Sequence, residues 1–376
     1  MTIDKRAILK ITYLFIVERF GLLIWMYFIR IILPISIDQS NLRLMHVPIE
    51  VNPWLEPWQR WDTIHYQAIS IYGYKAFDSA LFAPPLYPFL IHLLTPLTSN
   101  NSLIAAILIS NIAFLFSLYV LYIIAFLEYG NEKQALKIIY ILLLFPLSFF
   151  FFAAYTESLF FLFFLITIYF LQHKKWVYAS IFSGLSTLTR VTGIVVFGLL
   201  IALLIIEIYH TKDIKPIFSI AIGGMIALIF PLYVYFVMKM PIIAIFQAIA
   251  RGGRIALPGL NVIVAIKKII QGNMLFENIL EISSLILLIY LIMAGWKNYS
   301  LLYRLLSALF LLFYLTRLGN PQPLIGMARY IIVVVPIYFT LGDMIENQNI
   351  KKPLLFIALF LQLFLSGQFA IGGWVG

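Results

Sequence analysis

The run SLIAAILISNIAFLFSLYVLYIIAFL, residues 102–127, decides the fold class. It contains no Asp, Glu, Lys, Arg, Pro or Gly. About 20 apolar residues suffice for a helix to cross the hydrocarbon core of a bilayer. Lipid offers no partners to the backbone, so a spanning segment satisfies its own N–H and C=O groups as a helix. Further apolar runs lie at 8–36, 138–154, 156–172, 177–190, 192–209, 217–238, 281–296, 300–317, 329–345 and 353–372. Together they predict an all-α integral membrane protein with about eleven transmembrane helices in one domain, residues 1–376. The Ser/Thr-rich 177–190 and the segment 281–296 carry the weakest signal. Composition agrees: 63% of residues are hydrophobic and 11% charged, against roughly 25% charged in soluble domains.

The formal net charge is +10. The basic residues are scattered through short inter-helix loops, with no basic stripe of the kind that binds nucleic acid. Anionic headgroups and phosphate-bearing lipids are the expected partners. The N-terminus is basic, but the apolar segment behind it is too long for a cleaved signal and lacks a small-residue cleavage site, so it reads as the first span. There is no cysteine, which excludes disulfides, thiolate metal sites and a Cys nucleophile. Thirteen of the 26 Lys and Arg residues fall in short loops that alternate onto one side, among them Lys5, Lys133, Lys137, Lys174, Lys212, Lys297 and Lys351. Short-loop density is what orients a membrane protein. It predicts a cytoplasmic N-terminus and two longer non-cytoplasmic loops, 37–101 and 239–280. The first is rich in Trp, Tyr and Pro, and predicts amphipathic helices lying on the outer surface. Its segment 83–98, broken by Pro84, Pro85, Pro88 and Pro96, reads as a re-entrant or interfacial piece.

Polar residues are scarce enough that each cluster needs a reason. Arg60-Trp61-Asp62-Thr63-Ile64-His65-Tyr66 places Asp62, His65 and Tyr66 on one side of a helical turn. A carboxylate there can take a proton from a hydroxyl; it can equally be a helix cap within an interfacial aromatic cluster. Tyr87, in Pro85-Leu86-Tyr87-Pro88, belongs to a rigid loop wall or lines a site. Glu157, in Tyr155-Thr156-Glu157-Ser158, binds something at the membrane edge, or complements the dipole of a helix capped by Thr156. Arg190 is the only charge between Lys175 and Glu207, and an arginine between two short apolar helices calls for an anion, which a lipid phosphate or Glu157 would supply. Arg329-Tyr330 opens an apolar span, where a snorkelling arginine is the bland alternative. Arg251-Gly252-Gly253-Arg254 could clamp a phosphate with backbone and guanidinium groups. His46, His65 and His92 lack metal-ligand spacing, and no HExxH, GxSxG, Walker or Rossmann pattern occurs.

In this order, with helices between them, these stretches resemble the mannosyltransferase family that includes the second mannosyltransferase of GPI-anchor assembly and its prokaryotic relatives. The resemblance rests on Arg60-Trp61-Asp62 through His65-Tyr66, Tyr72-Gly73-Tyr74, Pro85-Leu86-Tyr87-Pro88, Tyr155-Thr156-Glu157-Ser158, Ser183-Gly184 through Arg190-Val191-Thr192-Gly193, and Arg329-Tyr330. Where family members carry Phe-Phe-Pro before Leu-Tyr-Pro, this chain has Phe82-Ala83-Pro84-Pro85. The resemblance implies a GT-C fold with its active site at the outer membrane face. It also implies a polyprenyl-phosphate-linked sugar donor and inverting transfer to a lipid or glycan hydroxyl. By the same resemblance Asp62 is the catalytic base.

The substrate-binding set expected alongside it is Arg60, His65, Tyr66, Tyr87, Glu157, Arg190, Arg329 and Tyr330. Arginines neutralise the leaving phosphate, so neither a metal nor a cofactor is expected. The rival is a lipid or lipid-linked-sugar flippase without catalysis, which would place charged or broken segments at mid-membrane.

Overall fold

The computed structural model describes residues 4–33, 45–74, 81, 83–245, 254–346 and 348–376. Among them the chain is helical nearly throughout, with one short two-stranded ribbon. Helix α1 (Lys5–Ile32) leads into the first loop, which carries α2 (Asp62–Tyr72) and α3 (Leu86–Leu94). Then comes α4 (Ser102–Tyr129), whose first turn is satisfied by Asn101: its side chain accepts from the backbone N–H of Leu103 at 2.9 Å and of Ile104 at 3.1 Å. Gly130, at φ +63°, ends that helix, and Asn131 at once caps α5 (Glu132–Leu144). The Asn–helix–Gly–Asn–helix punctuation is local chemistry, written in the sequence.

The remaining helices are α6 (Glu157–Gln172), α7 (Trp176–Thr189), α8 (Gly193–Thr211), α9 (Phe218–Phe236), α10 (Leu260–Ile270), α11 (Leu275–Gly295), α12 (Leu301–Leu315), α13 (Met327–Tyr330), α14 (Pro336–Met344) and α15 (Gln348–Ala370). The ribbon joins β1 (Arg254–Ile255) to β2 (Arg317–Leu318), antiparallel, with Ile255 opposite Arg317. It ties the end of the second long loop to the turn after α12.

Among the described residues five helices are long and apolar enough to cross a membrane: Ser102–Tyr129, Gly193–Thr211, Lys215–Phe236, Leu275–Gly295 and Lys351–Ala370. A bent pair, Met327–Val333 with Pro336–Met344, makes at most a sixth. The chain is a multi-span helical membrane protein, but eleven spans are not established. Several predicted spans hold only short helices, of 16 residues in α6, 14 in α7 and 15 in α12. Prolines account for two other departures. Pro146 holds Phe145 extended, at ψ 136°, so α5 stops at Leu144 inside the predicted span 138–154. The predicted span 329–345 bends by 80° in front of Pro336.

In the first loop, the segment 83–98 holds α3, opened by Pro85, followed by a 3-10 turn at Thr95–Thr98; one expectation for this loop fails. Helix α2 does not lie on the surface: Asp62, Thr63, Ile64, Tyr66, Gln67, Ala68, Ile69 and Ser70 are all buried. It is packed into the bundle, where Gln67 Nε2 donates to Ser102 Oγ of α4 at 2.9 Å. Phe82 and the residues 251–253 of the Arg-Gly-Gly-Arg run lie outside the described residues; Arg254 is in β1.

Helices α7 and α9 approach through glycine. A Cβ on Gly184 would sit 2.7 Å from the Gly223 carbonyl oxygen, and the Gly223 N–H donates to Ser180 Oγ at 3.0 Å. Small residues let helices come this close in a membrane bundle. Gly184→Leu must push the backbones apart, and should cost about 1–3 kcal/mol as an overpacked site. A lowered thermal unfolding midpoint of the detergent-solubilised protein reads this out; an unchanged midpoint would mean the close contact does not matter.

Candidate active site

Segments far apart in the chain converge on one small cleft. Asp62 is the first residue of α2. The preceding Trp61 is held at φ 49°, a region costly for a bulky side chain, by on the order of 1–3 kcal/mol. Its indole meets Trp374 edge-on, with ring centroids 5.2 Å apart. The turn redirects the chain so that Asp62 opens the helix facing the cleft.

Glu157 opens α6 behind Thr156. Thr156 makes no helix-cap bond; its hydroxyl instead accepts from Arg190 Nη1 at 3.0 Å and lies 3.4 Å from the Tyr66 hydroxyl. Arg190 ends α7 in an extended conformation, at φ −153° and ψ 142°. Arg329 sits in the single turn of α13, which α11 pins from the side. The Glu281 carboxylate accepts from the backbone N–H of Gly326 at 2.9 Å and of Ala328 at 2.6 Å.

The charged groups form an alternating chain. Arg329 Nη1 donates to Asp62 Oδ2 at 2.8 Å, and Arg329 Nε lies 3.0 Å from Glu157 Oε1. The same Glu157 oxygen pairs with Arg190 Nη1. Relative exposure is 2% at Asp62, 1% at Glu157, 8% at Arg190 and 4% at Arg329. Burying four ionised groups is expensive, and such networks are weak evidence for stability alone. A functional reason for them is therefore the economical one. Aromatic rings pack against the arginines. The guanidinium carbons of Arg190 and Arg317 both lie over Tyr330, 4.8 and 4.9 Å from its centroid. Tyr314 stacks on Tyr330 at 5.5 Å, and Arg329 sits 5.1 Å from the Tyr155 ring. Burial pushes the phenols of Tyr66 and Tyr155 up from their ordinary range, so both stay protonated.

The cleft has a volume of about 40 Å³, room for a few water-sized groups. Asp62, Tyr66, Arg190, Arg329 and Tyr330, all singled out in the sequence, line it. Glu157 lies behind the wall, bound to two of the lining arginines.

Three expected residues stand elsewhere. Arg60 braces the loop: its guanidinium bonds Glu56 Oε1 at 2.5 Å and the Ala370 carbonyl at 2.8 Å. Tyr87 donates to the Ala106 carbonyl at 3.0 Å and touches the cleft only through Tyr66, edge-on at 5.3 Å. His65 is half-buried and is not part of the cleft wall.

Sequence reasoning missed Arg317, which lines the cleft from β2, along with Thr156, Thr189 and Thr192. It also missed Glu281, which sets α13 in place. A charge inside the apolar run 275–295 was the available signal for Glu281. Among the described residues no three His, Cys, Asp or Glu side chains gather as metal ligands.

Compared with known families, residues 11–257 match the family model described as Mannosyltransferase (PIG-V). No curated protein matches the chain. The matched segment carries Asp62, Tyr66, Glu157 and Arg190; Arg317, Arg329 and Tyr330 come from beyond its end.

Proposed function

We propose, for a chain that belongs to the mannosyltransferase (PIG-V) family and is thus a membrane glycosyltransferase, that the cleft moves mannose from a polyprenyl-phosphate donor to a hydroxyl of a lipid or glycan acceptor. Family membership favours catalysis over the flippase reading. The observation that carries the mechanism is the wall of the cleft, where one carboxylate, Asp62, faces three guanidiniums, Arg190, Arg317 and Arg329.

The acceptor oxygen attacks the anomeric carbon from the face opposite the phosphate. The bond from that carbon to the phosphate oxygen breaks, and the phosphate leaves with the electron pair. Asp62 takes the proton of the attacking hydroxyl. The donor is a phosphodiester with one negative charge and leaves as a monoester with a second, so the arginines bind the transition state better than the ground state. Arg329 links the two halves of the reaction. A phosphate that draws its guanidinium away frees Asp62 to act as a base. Glu157 keeps Arg190 and Arg329 aimed, while Arg60 and Tyr87 steady the loop and Tyr66. Placing the cleft on the non-cytoplasmic face agrees with the density of lysines in the short loops that end at the other side.

The test is transfer by purified protein from polyprenyl-phosphate-mannose to glycolipid acceptors, with the anomeric configuration of the product read by NMR. Inversion is expected. Retention of configuration, or transfer from nucleotide-mannose alone, overturns the reading. Arg317→Gln should lower kcat by about 10–100-fold, the value of one charge-assisted hydrogen bond, with KM for the donor little changed. An equal loss carried wholly by KM would make Arg317 a ground-state binder.

A further inference from the structure

A second, much larger cavity than the transfer cleft lies at the other end of the bundle. It is a groove of about 1040 Å³ between α1, α5 and α15. Its position follows from the two long helices. Arg30, near the end of α1, meets Glu56 of the catalytic loop at 2.7 Å, whereas Lys10 of the groove lies in the first turns of α1. Twenty residues of helix separate them, about 30 Å. Helix α4 runs the opposite way and spans the same distance: Ser102 at its start touches α2, and Asn131, just past its end, lines the groove.

Lys10, Lys133, Lys137 and Lys351 line the groove, facing two carboxylates, Glu132 and Glu346. Glu346 is already engaged by Lys137 Nζ at 3.2 Å and by Gln134. The wall then changes character along one face of α5. Lys133 and Lys137 give way to Tyr140 and Ile141, then Leu144, at helical spacing. That passage from ammonium to hydrocarbon takes about 16 Å. Helix α15 repeats it in one turn, from Lys351 to Leu355. A soluble anion has no use for the apolar half, and an alkyl chain has no use for the lysines. The geometry points to an anionic lipid, with its phosphate among the lysines and a tail along Ile141, Leu144 and Leu355. This site is separate from the transfer cleft, and its reading does not depend on the reaction assigned there.

The experiment is native mass spectrometry of the full chain released from micelles containing phosphatidylglycerol or phosphatidylcholine. The native protein is expected to retain one phosphatidylglycerol in preference to phosphatidylcholine. Lys10→Gln, Lys133→Gln and Lys351→Gln should each reduce that preference about fivefold, the weight of one lysine near an anionic headgroup. Lys137 is left in place because it also donates to the Gly342 carbonyl at 3.0 Å. The triple Lys→Arg variant should keep the preference, which separates lost charge from lost fold. Equal retention of the two lipids by the native protein overturns the proposal, as does a preference that survives the triple Lys→Gln variant. Displacement of the lipid by millimolar inorganic phosphate would show a site for a free anion, and would overturn it too.

Discussion

Asp62→Asn is expected to reduce mannosyl transfer by about 10²- to 10⁴-fold, the usual weight of a positioned base, while donor binding survives. The amide keeps the shape of the carboxylate and can still accept from Arg329, which lies 2.8 Å from Asp62 Oδ2 in the native chain. It cannot take a proton from a hydroxyl. The informative comparison is therefore between turnover and donor affinity. A base lost from the transition state lowers kcat with little change in KM. Freed from its pairing with Asp62, Arg329 can bind the donor phosphate as well as before or better. Full turnover by the purified variant would remove Asp62 from the role of base. Loss of donor binding with kcat preserved would make it a structural partner of Arg329.

The second large effect falls on stability. Arg329→Gln removes the cation that both Asp62 and Glu157 contact, at 2.8 and 3.0 Å. Breaking a buried ion pair from one side costs about 3–5 kcal/mol, because the remaining charge stays desolvated. Glu157 retains Arg190, so the penalty should come mainly from Asp62. The thermal midpoint should fall sharply in Arg329→Gln and recover in part when Asp62→Asn is added, although transfer stays absent. A double variant no more stable than Arg329→Gln alone would show that the pair is not coupled. Arg329→Lys restores a positive charge but not the planar fork that serves two carboxylates at once. It should be more stable than Arg329→Gln and still poor in transfer.

The parts of the site that were legible in the sequence share one property. Asp62, Glu157, Arg190 and Arg329 are charges in places where lipid or apolar side chains surround them, and burying a charge without a reason is costly. Glu157 was one of two anions the sequence offered for Arg190, and the structure pairs them; the pairing of Arg329 with Asp62 and Glu157 was not legible, because it joins segments far apart in the chain. Arg317 escaped notice since it follows an apolar helix in the manner of any arginine reaching for headgroups; its place in the cleft wall and its approach to Tyr330 mark it out in the structure. Thr156 read naturally as a helix cap, yet its hydroxyl serves Arg190. Arg60 stands outside the cleft wall, bonded to Glu56 and to a backbone carbonyl more than 300 residues away, at Ala370, a contact that no local sequence pattern shows. The helical class followed from the apolar runs. The number of spans did not, since hydropathy cannot see Pro146 and Pro336 cutting helices short.

The ion pair between Asp62 and Arg329 joins residues 267 positions apart. That separation has a consequence for how the protein is made. A chain emerging from the ribosome presents Asp62 and Glu157 early, with Arg190 soon after, and supplies Arg317 and Arg329 much later. Until then one carboxylate waits without its cation. The ribbon at Arg317 and the turn at Arg329 would complete the proposed catalytic centre, and a chain halted after α10 would lack two of the three arginines that line the cleft. Nascent protein could thus enter the membrane without transferring sugar before its fold is finished.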